Sequence, residues 1–297
     1  MKPNKMSAHG QLYACLNDEI LPLAKAFLHV SDLSIQRGYG IFDFFKIQDG
    51  YPFFLHDYLD RFYHSASVMH LEVPHKPEVL KSILYQLIEK NNLPESGIKM
   101  ILTGGYSADG YQLDNPNLII TQHSLLLPPR EQIEKGIKII THEYRRDLPT
   151  AKTINYSMGI WLIDKIKERR AADVLYHEKG IVSEFPRCNF FIVKHDNTLV
   201  TPDNHVLRGI TRKNVLKLAT DSYSAEEGVI TIKDIHQAKE AFLTSTTKRI
   251  VPIVQIDDKV IGNGKPGAIT LSLLDDLVAL EVEDHKISAV HQKFYPF

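Results

Sequence analysis

The segment Tyr144-Arg145-Arg146-Asp147-Leu148-Pro149-Thr150-Ala151-Lys152-Thr153-Ile154-Asn155-Tyr156 carries one lysine, Lys152, at the entry to an apolar helix rather than on a charged face. A lone lysine is ordinarily a solvated surface charge, and this setting sets Lys152 apart. Glu184 follows 32 residues later (184 minus 152) in Gly180-Ile181-Val182-Ser183-Glu184-Phe185-Pro186-Arg187-Cys188-Asn189-Phe190-Phe191, an acid flanked by apolar residues. A carboxylate in such a strand-like run needs a cationic partner or a proton, because desolvation penalises its charged form.

Outward from these segments, the first third alternates short β-like runs, Tyr51 to Leu55 and Ile98 to Leu102, with amphipathic stretches from His56 to His70 and Pro77 to Asn91. That pattern implies a small α+β domain over residues 1–124. Next, Pro128-Pro129 forbids helix and precedes a charged patch that ends in Gly136, so an interdomain linker is expected over residues 125–136. The remainder, 137–297, is expected to be a larger α/β domain carrying Lys152. It opens with a strand at Ile137 to Thr141, continues with a helix from about Met158 to Ala171 and Asp173 to His177, turns at Lys179-Gly180, and has a β run from Asn189 to Lys194.

At 297 residues, two modest domains are the usual arrangement. The chain is 43% hydrophobic and 24% charged, enough apolar material for a sizeable core. Its 35 basic and 36 acidic residues nearly cancel, which gives no reason to expect nucleic acid or an anionic membrane as partner and leaves a small molecule. Two cysteines, Cys15 and Cys188, are too few for a disulfide framework and point to a reducing, cytoplasmic setting. The stretch from Met1 to Ile20 lacks the apolar core of a signal peptide, and no segment approaches the roughly 18 unbroken apolar residues of a membrane helix. Fourteen histidines occur without HExxH or comparable spacing, so no metal is expected.

The Lys152 and Glu184 segments resemble the signature of fold-type IV pyridoxal-phosphate enzymes, the class IV aminotransferase family. The resemblance covers most of the chain, through Arg37-Gly38-Tyr39-Gly40-Ile41-Phe42-Asp43, His56 to Ala66, Leu207-Arg208-Gly209-Ile210-Thr211-Arg212, Leu243-Thr244-Ser245-Thr246-Thr247 and Asn263-Gly264-Lys265-Pro266-Gly267. It implies a two-domain fold of α+β and α/β parts, with pyridoxal 5'-phosphate in the cleft, and a homodimer whose active site is shared across subunits. By the same resemblance Lys152 holds the cofactor as a Schiff base and moves the proton once released. Glu184 faces the pyridine nitrogen and keeps it protonated. Arg61, Ile210, Thr211, Ser245 and Thr246 form the phosphate cup, and Tyr156 donates to the ring oxygen. Asn189 is expected to fix the turn beside Glu184 rather than to touch substrate.

The arginine and histidine that the usual D-amino acid aminotransferase carries for the α-carboxylate are missing from Thr103-Gly104-Gly105-Tyr106-Ser107-Ala108-Asp109-Gly110-Tyr111. Arg37 and Arg187 stand instead where relatives often have neutral residues, and the pair resembles that of an unconventional group of D-amino acid transaminases. A planar guanidinium reads a carboxylate in bidentate fashion, and a half-buried one is costly without an anion, so the two are expected to clamp the substrate's α-carboxylate. Otherwise Arg37 caps a turn at the surface and Arg187 pairs with a structural acid. The implied reaction moves an amino group by ping-pong chemistry from an amino acid, favouring D-alanine or D-glutamate, to a 2-oxo acid. An aminodeoxychorismate lyase and an L-branched-chain aminotransferase are the alternatives.

Overall fold

The computed structural model describes residues 11–125 and 127–294, the last eight of these by backbone alone. Residues Met1 to Gly10, part of the stretch read for a signal peptide, lie outside the described residues, as does position 126 of the expected linker. The chain divides into two compact units. The first comprises residues up to Leu125, Ala151–Asn155 and residues from Asp284 onward; the second comprises Leu126–Thr150 and Tyr156–Glu283.

The first unit is built on β1 (Tyr13–Leu16), β2 (Glu19–Pro22), α1 (Leu33–Arg37), β3 (Gly40–Gln48), β4 (Tyr51–Pro52), α2 (Leu55–Val68), α3 (Pro77–Asn91), β5 (Ser96–Thr103) and β6 (Leu118–Ser124). Its sheet has the order β2-β1-β6-β5-β3-β4. Alternation sends Ile98, Met100 and Leu102 of β5 and Leu118 and Ile120 of β6 inward, as a sheet covered on one face requires. α2 packs against β3, and α3 against β1 and β6. The β-like run at Tyr51 to Leu55 shortens to β4, because Phe54 adopts a left-handed turn (φ 49°) that starts α2 at Leu55.

The second unit contains α4 (Arg130–Lys135), β7 (Ile137–Glu143), α5 (Ser157–Trp161), α6 (Ile163–Glu168), β8 (Val174–Glu178), β9 (Ile181–Val182), β10 (Asn189–Val193), β11 (Leu199–Pro202), α7 (Ile210–Ala219), β12 (Ala225–Gly228), α8 (Ile232–His236), β13 (Glu240–Ser245), β14 (Arg249–Ile256), β15 (Lys259–Val260) and the start of α9 (Ala268–Phe294). Its mixed sheet runs β12-β11-β10-β13-β14-β7-β8-β9, with β15 paired to β14. The central strands are buried on both faces. Phe190, Ile192, Leu243 and Val251 fill one side, while Phe191, Val193, Phe242 and Ile250 meet Val215 of α7 and Leu273 and Leu277 of α9 on the other. Cys15 and Cys188 are both buried and unpaired.

Three expectations change. The charged patch after Pro128-Pro129 forms helix α4, since Pro129 precedes the first turn and costs it no hydrogen bond. Arg130–Glu134 and Glu131–Lys135 pairs line its surface, and Gly136 ends it. The single helix expected from about Met158 to Ala171 is two short ones, because ψ flattens to -5° at fully buried Leu162. Lys152, expected in the larger domain, groups with the first unit. The edge of β3 opposite β5 is open over its first half, since β4 pairs only with Ile47 and Gln48, and residues 152–154 lie along it.

Candidate active site

Lys152 sits in an extended segment tied to β3 on both sides. Phe42 N–H donates to Lys152 O at 2.9 Å, Ile154 N–H donates to Gly40 O at 3.0 Å, and Ile41 bridges Thr153. Lys152 N–H in turn donates to Ser65 Oγ of α2 at 3.1 Å. Its Nζ lies 4.5 Å from the centroid of the Phe42 ring. In the same unit Arg61, also on α2, forks onto Asp43 of β3, with Nε to Oδ2 at 2.9 Å and Nη2 to Oδ1 at 2.6 Å. Asp43 is fully buried, and the bidentate pair fixes the guanidinium plane while holding its positive charge beside an equal negative one.

The carboxylate of Glu184 has found the cation its burial demands. Arg146 Nε donates to Oε1 at 2.7 Å, and Leu207 N–H donates to Oε2 at 2.9 Å. Arg146 is itself held by Nη2 donating to Pro149 O at 2.7 Å. Local sequence gave no sign of this partner: two arginines stand side by side at 145 and 146, and the pairing spans 38 residues. Tyr176 N–H donates to Glu184 O, so the residue is anchored by backbone as well. Burial pushes the Tyr176 phenol pKa up, with Tyr144 adding to the effect.

Asn189, at the start of β10, organises the rest. Its Nδ2 donates to Leu207 O at 2.8 Å, so the 207 peptide is gripped by Glu184 at its N–H and by Asn189 at its carbonyl neighbour. Across the ladder Asn189 pairs with Thr244, one residue before Ser245. A Cβ at Gly209, the residue that opens α7, would lie 2.1 Å from Asn189 Oδ1, so only glycine permits this approach. Asn189 thereby joins the α7 N-terminus at Ile210 and Thr211 to the β13–β14 turn at Ser245 and Thr246. Among the described residues no side chain caps that N-terminus, and Thr244 Oγ1 is buried without a hydrogen-bond partner. Free helix N–H groups, hydroxyls and an orphaned buried hydroxyl suit a phosphate, so these residues fit the phosphate end of pyridoxal phosphate. Ser245 Oγ also accepts Lys248 N–H at 3.2 Å. Tyr156 immediately precedes α5.

Arg37 closes α1, with Nη1 donating to Gln36 O at 3.0 Å, and it is exposed. Arg187 is exposed in the turn between Glu184 and β10 and makes no ion pair or hydrogen bond among the described residues. The expected cost of a half-buried guanidinium therefore does not arise in the chain as described. The site candidates fall into two sets: Arg37, Arg61 and Lys152 in the first unit, and Tyr156, Glu184, Arg187, Ile210, Thr211, Ser245 and Thr246 in the second. Among the described residues no cluster of three His, Cys, Asp or Glu could hold a metal, and no helix is long and apolar enough to cross a membrane.

The family model for class IV amino-transferases matches residues 40–256. A putative branched-chain-amino-acid aminotransferase of Methanocaldococcus jannaschii is 32% identical, over 87% of this chain and 92% of that protein. A D-alanine aminotransferase of Listeria innocua is 28% identical over the same shares. The solved branched-chain amino acid aminotransferase of Escherichia coli superposes with a TM-score of 0.85 over 91% of this chain and 95% of that one. At 24% identity, that likeness shows a shared fold.

Proposed function

From the premise that this chain belongs to the class IV aminotransferases, pyridoxal-phosphate enzymes acting on amino acids and 2-oxo acids, we propose that its amino donors are D-amino acids and that Arg37 and Arg187 hold their α-carboxylate. Bound pyridoxal phosphate supplies an aldehyde that takes up the amine and a pyridine ring that accepts the electron pair left when Cα loses its proton. The protein's share is to hold charges and move that proton. Lys152 is the covalent anchor, and its Nζ carries the proton to and from the substrate Cα. Glu184, kept anionic by Arg146, keeps the pyridine nitrogen protonated. Arg61, Ile210, Thr211, Ser245 and Thr246 take the phosphate, and Tyr156 donates to the ring oxygen.

One observation carries the clamp: Arg187 presents an exposed guanidinium, with no carboxylate paired to it among the described residues, three residues past Glu184 (187 minus 184). The D preference is supported by the resemblance of the Arg37 and Arg187 pair to that of an unconventional group of D-amino acid transaminases. A guanidinium offers two parallel N–H groups to one carboxylate, which suits it to the α-carboxylate of an amino acid. A hydrogen bond to a charged group is worth about 1.5–3 kcal/mol, so Arg37→Ala or Arg187→Ala is expected to raise the KM for donor and acceptor by about tenfold to a hundredfold. Cofactor affinity should stay unchanged, and unaltered KM values in both variants would refute the clamp.

The second reading is an L-branched-chain enzyme, favoured by the name of the 32% identical relative. Profiling D- and L-amino acids against 2-oxoglutarate and pyruvate separates the two. Turnover of D-alanine or D-glutamate, with L-leucine and L-valine inert, is expected; the reverse pattern would establish the second reading. We also propose a homodimer in which Arg37 comes from the neighbouring copy. The support is an apolar surface around α1, where Phe27, Val30, Ile35, Tyr106, Tyr111 and Leu113 are exposed.

A further inference from the structure

We propose that Ser65 and Phe42 are positioning residues that together aim the Lys152 amine, an inference that rests on the cofactor-lysine role given to Lys152 above. Neither side chain forms a bond to the cofactor in this proposal; both act through the lysine.

The first observation is a serine where helix packing calls for carbon. α2 buries Leu55, Tyr58, Leu59, Phe62, Ser65 and Ala66 along one face, the spacing of an amphipathic helix, and Ser65 is fully buried within it. Its Oγ accepts Lys152 N–H from 87 residues away in sequence. A hydroxyl here accepts from a partly buried main-chain donor, an acceptor that an alanine lacks. The small side chain also lets the extended segment approach the helix closely.

The second observation is register. With Lys152 N–H held by Ser65, Lys152 O held by Phe42 N–H, and Ile154 N–H held by Gly40 O, the peptides on both sides of the lysine Cα are fixed. The direction of the Cα–Cβ bond is fixed with them, and the side chain runs to the Phe42 ring. Gly40 permits this, since a Cβ there would lie 2.7 Å from Leu102 O and 3.2 Å from Ile154 Cδ1. The aromatic face attracts the ammonium through its quadrupole, so the ring helps to restrain the far end of a chain with four rotatable bonds. Lys99 Nζ lies 5.9 Å from the same ring centroid, a longer and weaker contact.

The test uses the full chain stripped of cofactor, mixed either with pyridoxal phosphate, which can bond to the lysine, or with pyridoxamine phosphate, which cannot. Ser65→Ala and Phe42→Leu are each expected to slow covalent capture, followed by its near-visible absorbance, by about tenfold. Each should leave the pyridoxamine phosphate Kd within about twofold of wild type, whereas Phe42→Tyr keeps an aromatic face and should keep the wild-type rate. Wild-type capture rates in both Ser65→Ala and Phe42→Leu would overturn the proposal. Equal loss of affinity for both ligands would overturn it too, by reducing the two residues to general packing. Lys152→Ala separates the premise from the inference. If that variant still develops the absorbance, the lysine role itself fails; if it is silent while the other variants behave as wild type, only the positioning role fails.

Discussion

Glu184 is 4% exposed, and both of its oxygens are engaged, one by Arg146 and the other by the Leu207 N–H. A buried charge pair adds little net stability over an apolar pair of equal volume, because both ions give up their hydration. Removing one partner is a different matter, since it strands the other charge. Arg146→Ala is therefore expected to lower unfolding stability by about 3–5 kcal/mol, measured by urea denaturation. The double variant Arg146→Ala/Glu184→Gln should recover part of that loss, because the stranded charge is gone. A double variant as unstable as the sum of its singles would mean that Arg146 acts on something other than Glu184. With Glu184 in the role proposed for it, Glu184→Gln alone would set a neutral amide against the pyridine nitrogen and is expected to cut turnover severely, by about a hundredfold or more.

Gly209, Asn189 and the peptide at Leu207 connect β10, α7 and the turn after β13 into one frame. Gly209→Ala puts a methyl group 2.1 Å from Asn189 Oδ1, so Asn189 must move and its bond to Leu207 O weakens. The expected outcome is about a tenfold loss of pyridoxamine phosphate affinity with the fold retained, as circular dichroism would report. In an Asn189→Ala background the added methyl should cost almost nothing more, since the obstacle is gone. An equal loss in both backgrounds would show that the glycine matters for another reason. One element of this frame was readable in advance. The start of β10 coincides with the apolar run from Asn189, and elsewhere α3 runs from Pro77 to Asn91 as its amphipathic period implies. What local pattern could not give was pairing across long sequence separations. Arg146 with Glu184, and the segment around Lys152 with β3 and Ser65, depend on which strand edge stands open, and no local window contains that information. The break at Leu162 was not legible either: the segment from about Met158 to Ala171 reads as one helix, yet apolar Ile160, Trp161 and Ile163 are all exposed. Helix α4 escaped because Pro128-Pro129 was read as forbidding helix, whereas proline restrains what precedes it and permits a helix to begin after it.

The apolar surface of the first unit bears on assembly. The loop at 104–117 packs on the segment leading into α1: Leu33 N–H donates to Gly105 O, Asp32 bridges Tyr106, and the His29 and Tyr106 rings meet edge to face at 6.2 Å. These contacts hold Phe27, Val30 and Tyr111 at 75, 69 and 82% exposure, alongside Ile35 and the half-exposed Leu113. Contiguous apolar patches beyond a few hundred Å² are uncommon on monomers, and a stable interface needs about 1,200–2,000 Å² in total. Arg37 extends from the same helix, so a second copy seated here would bring its own Arg37 to the contact. The chain is therefore expected to sediment as a dimer at micromolar concentration. Ile35→Asp combined with Phe27→Asp should convert it to a monomer, because each aspartate would have to shed its hydration inside the interface. The monomer should keep its circular dichroism spectrum, since both positions are exposed, and should lose transamination activity if the site needs the neighbour's arginine. A folded monomer with full activity would remove the shared site, and an unaltered dimer would place the interface on another face.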